Sequence, residues 1–272
     1  MKVAYTGWTW INNREPEAAK KLLEQSFREC KFLGYDYVEN FAFIRDYYAE
    51  DPQQLVDLTK ACGVELVNLY GHFKLGDKEN QIETGKKQVE FLSQVGCKWY
   101  NCQNSGWGEA PATKEALDEM IEIISTVGAH AKKLGVTLCF HPHFGTCVFR
   151  QEEIDYLADN TDPEIVSFCP DTAHTTLAGI DPVDLIHKLG KRIAFVHLKD
   201  VDTYALSKAE GREKMATFLA LGHGTVNFPA IKAALEEEGY DGVLCVELDR
   251  PEVCNFHSAE VSRIYIRDVL GL

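Results

Sequence analysis

Four short stretches in the second half of the chain carry the side chains best suited to chemistry: FHPH at 140–143, PDTAH at 170–174, VHLKD at 196–200 and VELD at 246–249. They supply His141 and His143, Asp171 and His174, His197 with Lys199 and Asp200, and Glu247. Each follows or ends an apolar run. A single histidine at a strand end is usually a hydrogen-bonded structural residue, and a single aspartate there commonly caps the next helix. Four such ends at once carry more weight, because a divalent cation needs several nitrogen and oxygen donors converging from separate elements. In a strand, residues i and i+2 point the same way, so a strand running through FHPH would turn both imidazoles into one space.

The elements that must position these residues recur along the chain. Strand-like runs at KVAYTG, YDYVENF, VELVNLYGHF, CKWYNCQNSG, VTLCFHPH, IVSFCPDTAH, IAFVHLKD and GVLCVELD each precede a segment of helical periodicity. The runs are almost continuously apolar, as expected of parallel strands covered on both faces. Asp51-Pro52 and Asp181-Pro182 mark helix starts, and Gly63, Gly135, Gly190 and Gly239 mark helix ends. Eight βα units in about 250 residues predict a single-domain (β/α)8 TIM barrel spanning residues 1–272. A doubly wound sheet is the alternative, but TGWTWIN after the first strand has no glycine-rich phosphate loop. Residues 201–224 form one long excursion after the seventh strand, a candidate lid or oligomer contact.

In a barrel enzyme the site is built at the C-terminal ends of the strands, which is where the four motifs fall. Trp8, Glu39, His72 and Gln103, at the ends of the first four strands, would line the same mouth as substrate contacts. The chain has 272 residues and a formal net charge of −14. That acidity argues against a nucleic-acid partner, whose phosphates require a basic face. No apolar run approaches the ~20 residues that cross a bilayer, and MKVAYTGWTW has no signal-peptide pattern, so no membrane partner and a cytoplasmic location are expected. Nine cysteines stand singly with no CxxC pair, several inside apolar runs, and read as small buried hydrophobes in a reducing compartment.

FHPHFGT, CPDTAHTTLAGIDP, RIAFVHLKDV, LGHGTVNFPAIKAAL and GYDGVLCVELD, in this order, resemble the xylose isomerase-like barrel superfamily of sugar isomerases, epimerases and inosose (keto-inositol) dehydratases. The resemblance implies a divalent cation, often Mn²⁺, with Co²⁺, Zn²⁺, Fe²⁺ or Mg²⁺ as alternatives. Its ligands would be His141, Asp171, His197 and Glu247. His143 and His174 would then serve as substrate-orienting or proton-transfer residues, Glu247 itself would double as the base, and Lys199 would stabilise an oxyanion. Position 141 departs from the family pattern, where a glutamate is usual. That exchange removes one negative charge from the ligand set, which strengthens the cation as a Lewis acid. It also breaks the pair of glutamates with which the epimerases exchange a proton from both sides of a carbon.

The inosose dehydratases of this superfamily have a histidine-rich strand-five end followed by Gly-Thr, which HPHFGT resembles. The expected activity is therefore a metal-dependent carbon–oxygen lyase acting on a keto-cyclitol or keto-sugar, by removal of a proton α to a carbonyl and β-elimination. A histidine can donate a proton near neutral pH, which elimination of hydroxide requires. The alternatives are a sugar isomerase or 3-epimerase, β-elimination from a 3-keto-glycoside, or a non-catalytic sugar-binding subunit. A homo-oligomer is compatible with each.

Overall fold

A computed structural model describes all residues 1–272. Ten strands appear in chain order: β1 Lys2–Thr6, β2 Tyr37–Phe41, β3 Glu65–Phe73, β4 Trp99–Asn104, β5 Thr137–Phe140, β6 Val166–Phe168, β7 Phe195–Leu198, β8 Asp200–Val201, β9 Phe218–Leu219 and β10 Val243–Val246. Eight of them form one parallel sheet in the order β6-β5-β4-β3-β2-β1-β10-β7. Isolated bridges join its two ends, Phe168 to Ile193 and Asp171 to His197, with hydrogen bonds from Ala194 N to Phe168 O and from His197 N to Pro170 O. The sheet thus closes into a TIM barrel, and two residues of the expected metal site face each other across its seam.

Amphipathic helices pack outside the strands. Pro16–Phe32, Gln53–Cys62, Lys78–Gln94, Lys114–Lys133, Gln151–Asp159, Pro182–Leu189, Phe228–Glu237 and Asn255–Tyr265 correspond to the eight helices anticipated from periodicity. The main core of 53 buried residues includes strand and helix side chains such as Phe27, Phe73, Ile124 and Leu235. A second, smaller cluster, Ala4, Val67, Cys139, Cys169, Phe195, Val243 and Cys245, brings together residues from six strand regions. Two residues further along their strands stand His141, Asp171, His197 and Glu247, so the two-residue alternation raises a polar layer directly above that apolar one. Seven of the nine cysteines are buried. No helix is long and apolar enough to cross a membrane.

The strand ends are shorter than the apolar runs suggest. β5 stops at Phe140, leaving His141 and His143 in the turn beyond it. β6 is three residues long because Pro170 has no N–H for the ladder and Asp171 caps a new helix, Thr172–Leu177. His174 therefore sits on a helix rather than on a strand. The excursion after β7 is also built structure: β8 and β9 pair antiparallel, with short helical turns at Thr203–Leu206 and Gly211–Thr217 between them.

Asp200 secures this excursion. Its carboxylate, 1% exposed, accepts backbone hydrogen bonds from Val201, Gly222, Gly224 and Val226 at 2.8–3.0 Å. Gly224 has to be glycine, since a Cβ there would overlap Asp200. Replacing Asp200 with Ala would leave one buried and three partly buried N–H groups without this acceptor. Its expected cost is on the order of 3 kcal/mol in urea unfolding, whereas a loss below ~0.5 kcal/mol would show that the segment is held by other contacts.

Candidate active site

His141, Asp171, His197 and Glu247 each offer one ligand atom, and these four atoms lie within 4.8 Å of one another. All four residues are 5% exposed or less. Asp171 is both a helix cap and a candidate ligand. Its Oδ1 accepts from the N–H groups of Ala173 and His174 at 2.7 and 2.9 Å, while its Oδ2 has no hydrogen-bond partner. His141 has no partner at either ring nitrogen, and its Nε2 is 3.7 Å from Asp171 Oδ2. His197 Nδ1 lies 2.8 Å from Glu247 Oε2, close but not directed as a hydrogen bond.

Leaving a buried polar atom unpaired costs about 1–3 kcal/mol, so three such residues aimed at one space call for a ligand. A cation with bonds near 2.1 Å at right angles sets neighbouring ligand atoms about 3 Å apart, the scale of these separations. Two imidazoles and two carboxylates form a donor set for Mn²⁺, Fe²⁺, Co²⁺ or Zn²⁺. The residues therefore fit a divalent metal ion.

Charge balance is carried by Lys199, which is fully buried. Its Nζ lies 3.2 Å from Glu247 Oε2, 3.2 Å from Asp249 Oδ2 and 3.5 Å from Asp171 Oδ2. Burial alone would lower its pKa, but Asp171, Asp249 and Glu247 together raise it, so it remains an ammonium. Burial likewise pushes Asp171 and Glu247 up, and Lys199 heads the opposing charges that hold both below the usual carboxylate range. Sequence reasoning offered Lys199 as an oxyanion stabiliser. In the fold its ammonium lies among three carboxylates. Asp249 was not anticipated, although it stands two residues after Glu247 and so on the same side of the strand.

His143 and His174 stand together beside His141, with their own ring centroids 3.8 Å apart. His143 Nδ1 is 2.9 Å from the carbonyl oxygen of Phe144, which can only accept, so Nδ1 carries the proton and Nε2 keeps its lone pair. Burial, then His141 and Lys199, push His143 down to about 3. Of the two roles read for His143 from sequence, this geometry suits orienting a substrate hydroxyl as a neutral hydrogen-bond acceptor.

The four expected substrate contacts separate. Trp8 stacks on Phe41 at 4.9 Å, Phe41 on Tyr70 at 5.2 Å and Tyr70 on His197 at 5.8 Å, so an aromatic column runs from Trp8 to a candidate ligand. Tyr70, not anticipated from sequence, also donates to Gln103 Oε1 at 2.5 Å and meets His141 edge-on. His72 is exposed beside Tyr70 and lines, with Phe41, Phe43, Arg45 and Lys87, a pocket of about 480 Å³. Glu39 does not reach the mouth. It is fully buried, its carboxylate held by Asn68, Asn101 and His197.

Residues 27–264 match the family described as "Xylose isomerase-like TIM barrel". The chain belongs to that family. Curated relatives within reach of this barrel include the inosose dehydratase of Geobacillus thermodenitrificans (strain NG80-2), 30% identical over 297 residues that cover 100% of this chain and 97% of that protein. The inosose dehydratase of Geobacillus kaustophilus (strain HTA426) is 29% identical over 284 residues, covering 95% and 91%. Among solved structures, the IolI protein with a bound zinc atom shares the family barrel with a TM-score of 0.80 at 19% identity, covering 100% of this chain and 98% of that one.

The buried imidazoles predict how the metal-free protein responds to pH. Burial opposes charging of His197, but Glu39 and Glu247 raise it from 6.5 to about 10. Its contribution is complete below pH 6.5 and is lost as pH rises through about 10. His143, lowered to about 3, contributes the reverse: its share is present above 6.5 and is lost as pH falls toward 3. Urea midpoints of chelator-treated protein should therefore decline from pH 6.5 to 10, and His197→Gln should flatten that limb. An alkaline limb that is equally steep in the variant would refute the assignment.

Proposed function

We propose that the chain is a divalent-metal-dependent dehydratase of keto-cyclitols or keto-sugars, of the inosose dehydratase type, with Mn²⁺ as its working metal. The observation that carries this reading is the convergence of four buried ligand atoms from four strand ends, three of those residues with atoms lacking any hydrogen-bond partner. The full-length similarity to inosose dehydratases supports the reaction type. So does the histidine at 141, which leaves one carboxylate, Glu247, where a two-base epimerase needs two.

His141, Asp171, His197 and Glu247 would hold the cation. When bound, it supplies a Lewis acid for the substrate carbonyl and offsets the negative charge that develops there. Both polar contacts of Glu247 run through Oε2, to His197 and Lys199, which leaves Oε1 to take the proton from the carbon next to the carbonyl. As that C–H bond breaks, its electron pair forms the new carbon–carbon double bond and the β C–O bond cleaves. The departing hydroxide takes that proton back from Glu247 and leaves as water, because burial keeps both His143 and His174 neutral. His143 Nε2 accepts a hydrogen bond from a substrate hydroxyl, while His174, with neither nitrogen partnered, donates toward the leaving group. Lys199 keeps Asp171 ionised throughout and Glu247 ionised until it takes up the substrate proton, and Trp8, Tyr70, His72 and Gln103 form the substrate-facing side of the mouth.

Stripped protein reloaded with Mn²⁺, Co²⁺, Zn²⁺ or Mg²⁺ should convert a keto-inositol to a dehydrated diketone, followed by proton NMR in D₂O. Asp171→Ala or His197→Ala should abolish metal uptake and slow turnover by roughly 10³-fold or more. Full activity without metal, or an isomer carrying solvent deuterium in place of a dehydrated product, would sink the proposal.

A further inference from the structure

The fully buried carboxylate of Glu39 lies on the far side of His197 from the ligand cluster. His197 Nε2 is 3.0 Å from Glu39 Oε1 and 3.2 Å from Oε2, while Nδ1 faces Glu247. Glu39 is itself held in place. Its Oε2 accepts from Asn68 Nδ2 at 2.5 Å and Asn101 Nδ2 at 2.9 Å, and the backbone N–H of Asn101 donates to Asn68 Oδ1 at 2.9 Å. That last bond fixes which way the Asn68 amide points, because its oxygen is already occupied. Three neighbouring strands, β2, β3 and β4, thus supply one rigid acceptor beneath the ring.

We propose that Glu39 is a positioning residue for the metal site: with Asn68 and Asn101 it holds the proton of His197 on Nε2 and so presents Nδ1 as the ligand atom. A carboxylate on the remote nitrogen orients the ring and increases the donor strength of the other nitrogen. With two carboxylates rather than three among the candidate ligands, the cation gains a further negative charge through this imidazole. The inference rests on the metal site of the proposed function, and its test separates the two.

Glu39→Gln preserves shape and removes the charge. Chelator competition on the whole protein should show Zn²⁺ and Co²⁺ binding roughly 10- to 100-fold weaker than in the unaltered protein. The visible absorption of the Co²⁺-loaded variant should also shift, which a loss of packing alone would not cause. In the unaltered Zn²⁺-loaded protein, long-range proton–nitrogen NMR should find His197 protonated at Nε2 and metal-bound at Nδ1, a reading that needs no variant to fold. Affinity within twofold and an unchanged Co²⁺ spectrum, or coordination through Nε2, would overturn this inference alone. Unaltered protein that takes up neither metal overturns the metal site and this inference together.

Discussion

The mouth of this barrel depends on a pairing of buried charges that could not survive singly. Glu39, Asp171 and Glu247 are nearly inaccessible to water, and Asp249 is half-buried beside them. An isolated carboxylate in such a place would take up a proton rather than remain charged. Lys199 bridges Asp171, Glu247 and Asp249, and His197 bridges Glu39 and Glu247, so every carboxylate has a cationic or N–H partner. Because these partners come from β2, β7 and β10 and from the turn after β6, the cluster exists only when the barrel is closed.

Closure and chemistry are consequently one problem. The seam between β6 and β7 is the weakest stretch of the sheet, held by isolated bridges rather than a continuous ladder, and Asp171 and His197 form one of those bridges. A cation bound by both would tie the seam from the inside. The same economy appears in Asp171, which caps a helix with one oxygen and leaves the other for a ligand. The bland reading of a strand-end aspartate, a helix cap, holds for this residue and leaves an oxygen free for the functional one.

The charge arrangement also divides the labour among the histidines. His197 is flanked by carboxylates and His141 by no hydrogen-bond partner, which suits both to a cation. His143 and His174 face each other, and His174 also meets Phe218 of β9 edge-on. The long excursion after β7, anchored by Asp200, therefore contributes directly to the surroundings of His174 rather than standing apart as a loop.

The amino-acid sequence alone determined the barrel and the ring of imidazoles and carboxylates at its mouth, because both follow from local order: apolar runs alternating with helical periodicity, and polar residues at the ends of those runs; the family resemblance then singled out the four candidate ligands. It also marked position 141 as the departure from the family pattern. What it could not convey is direction and partnership across the chain. Glu39 reads in sequence as one more strand-end carboxylate, yet the inward face of β2 places it beneath His197, 158 residues away. Asn68 and Asn101 look like polar interruptions of apolar strands, and Tyr70 like packing, until the sheet sets them around that same imidazole. The surroundings of Lys199 were hidden for the same reason. Its three carboxylate partners come from different elements, and only closure of the barrel brings them within reach of its ammonium group.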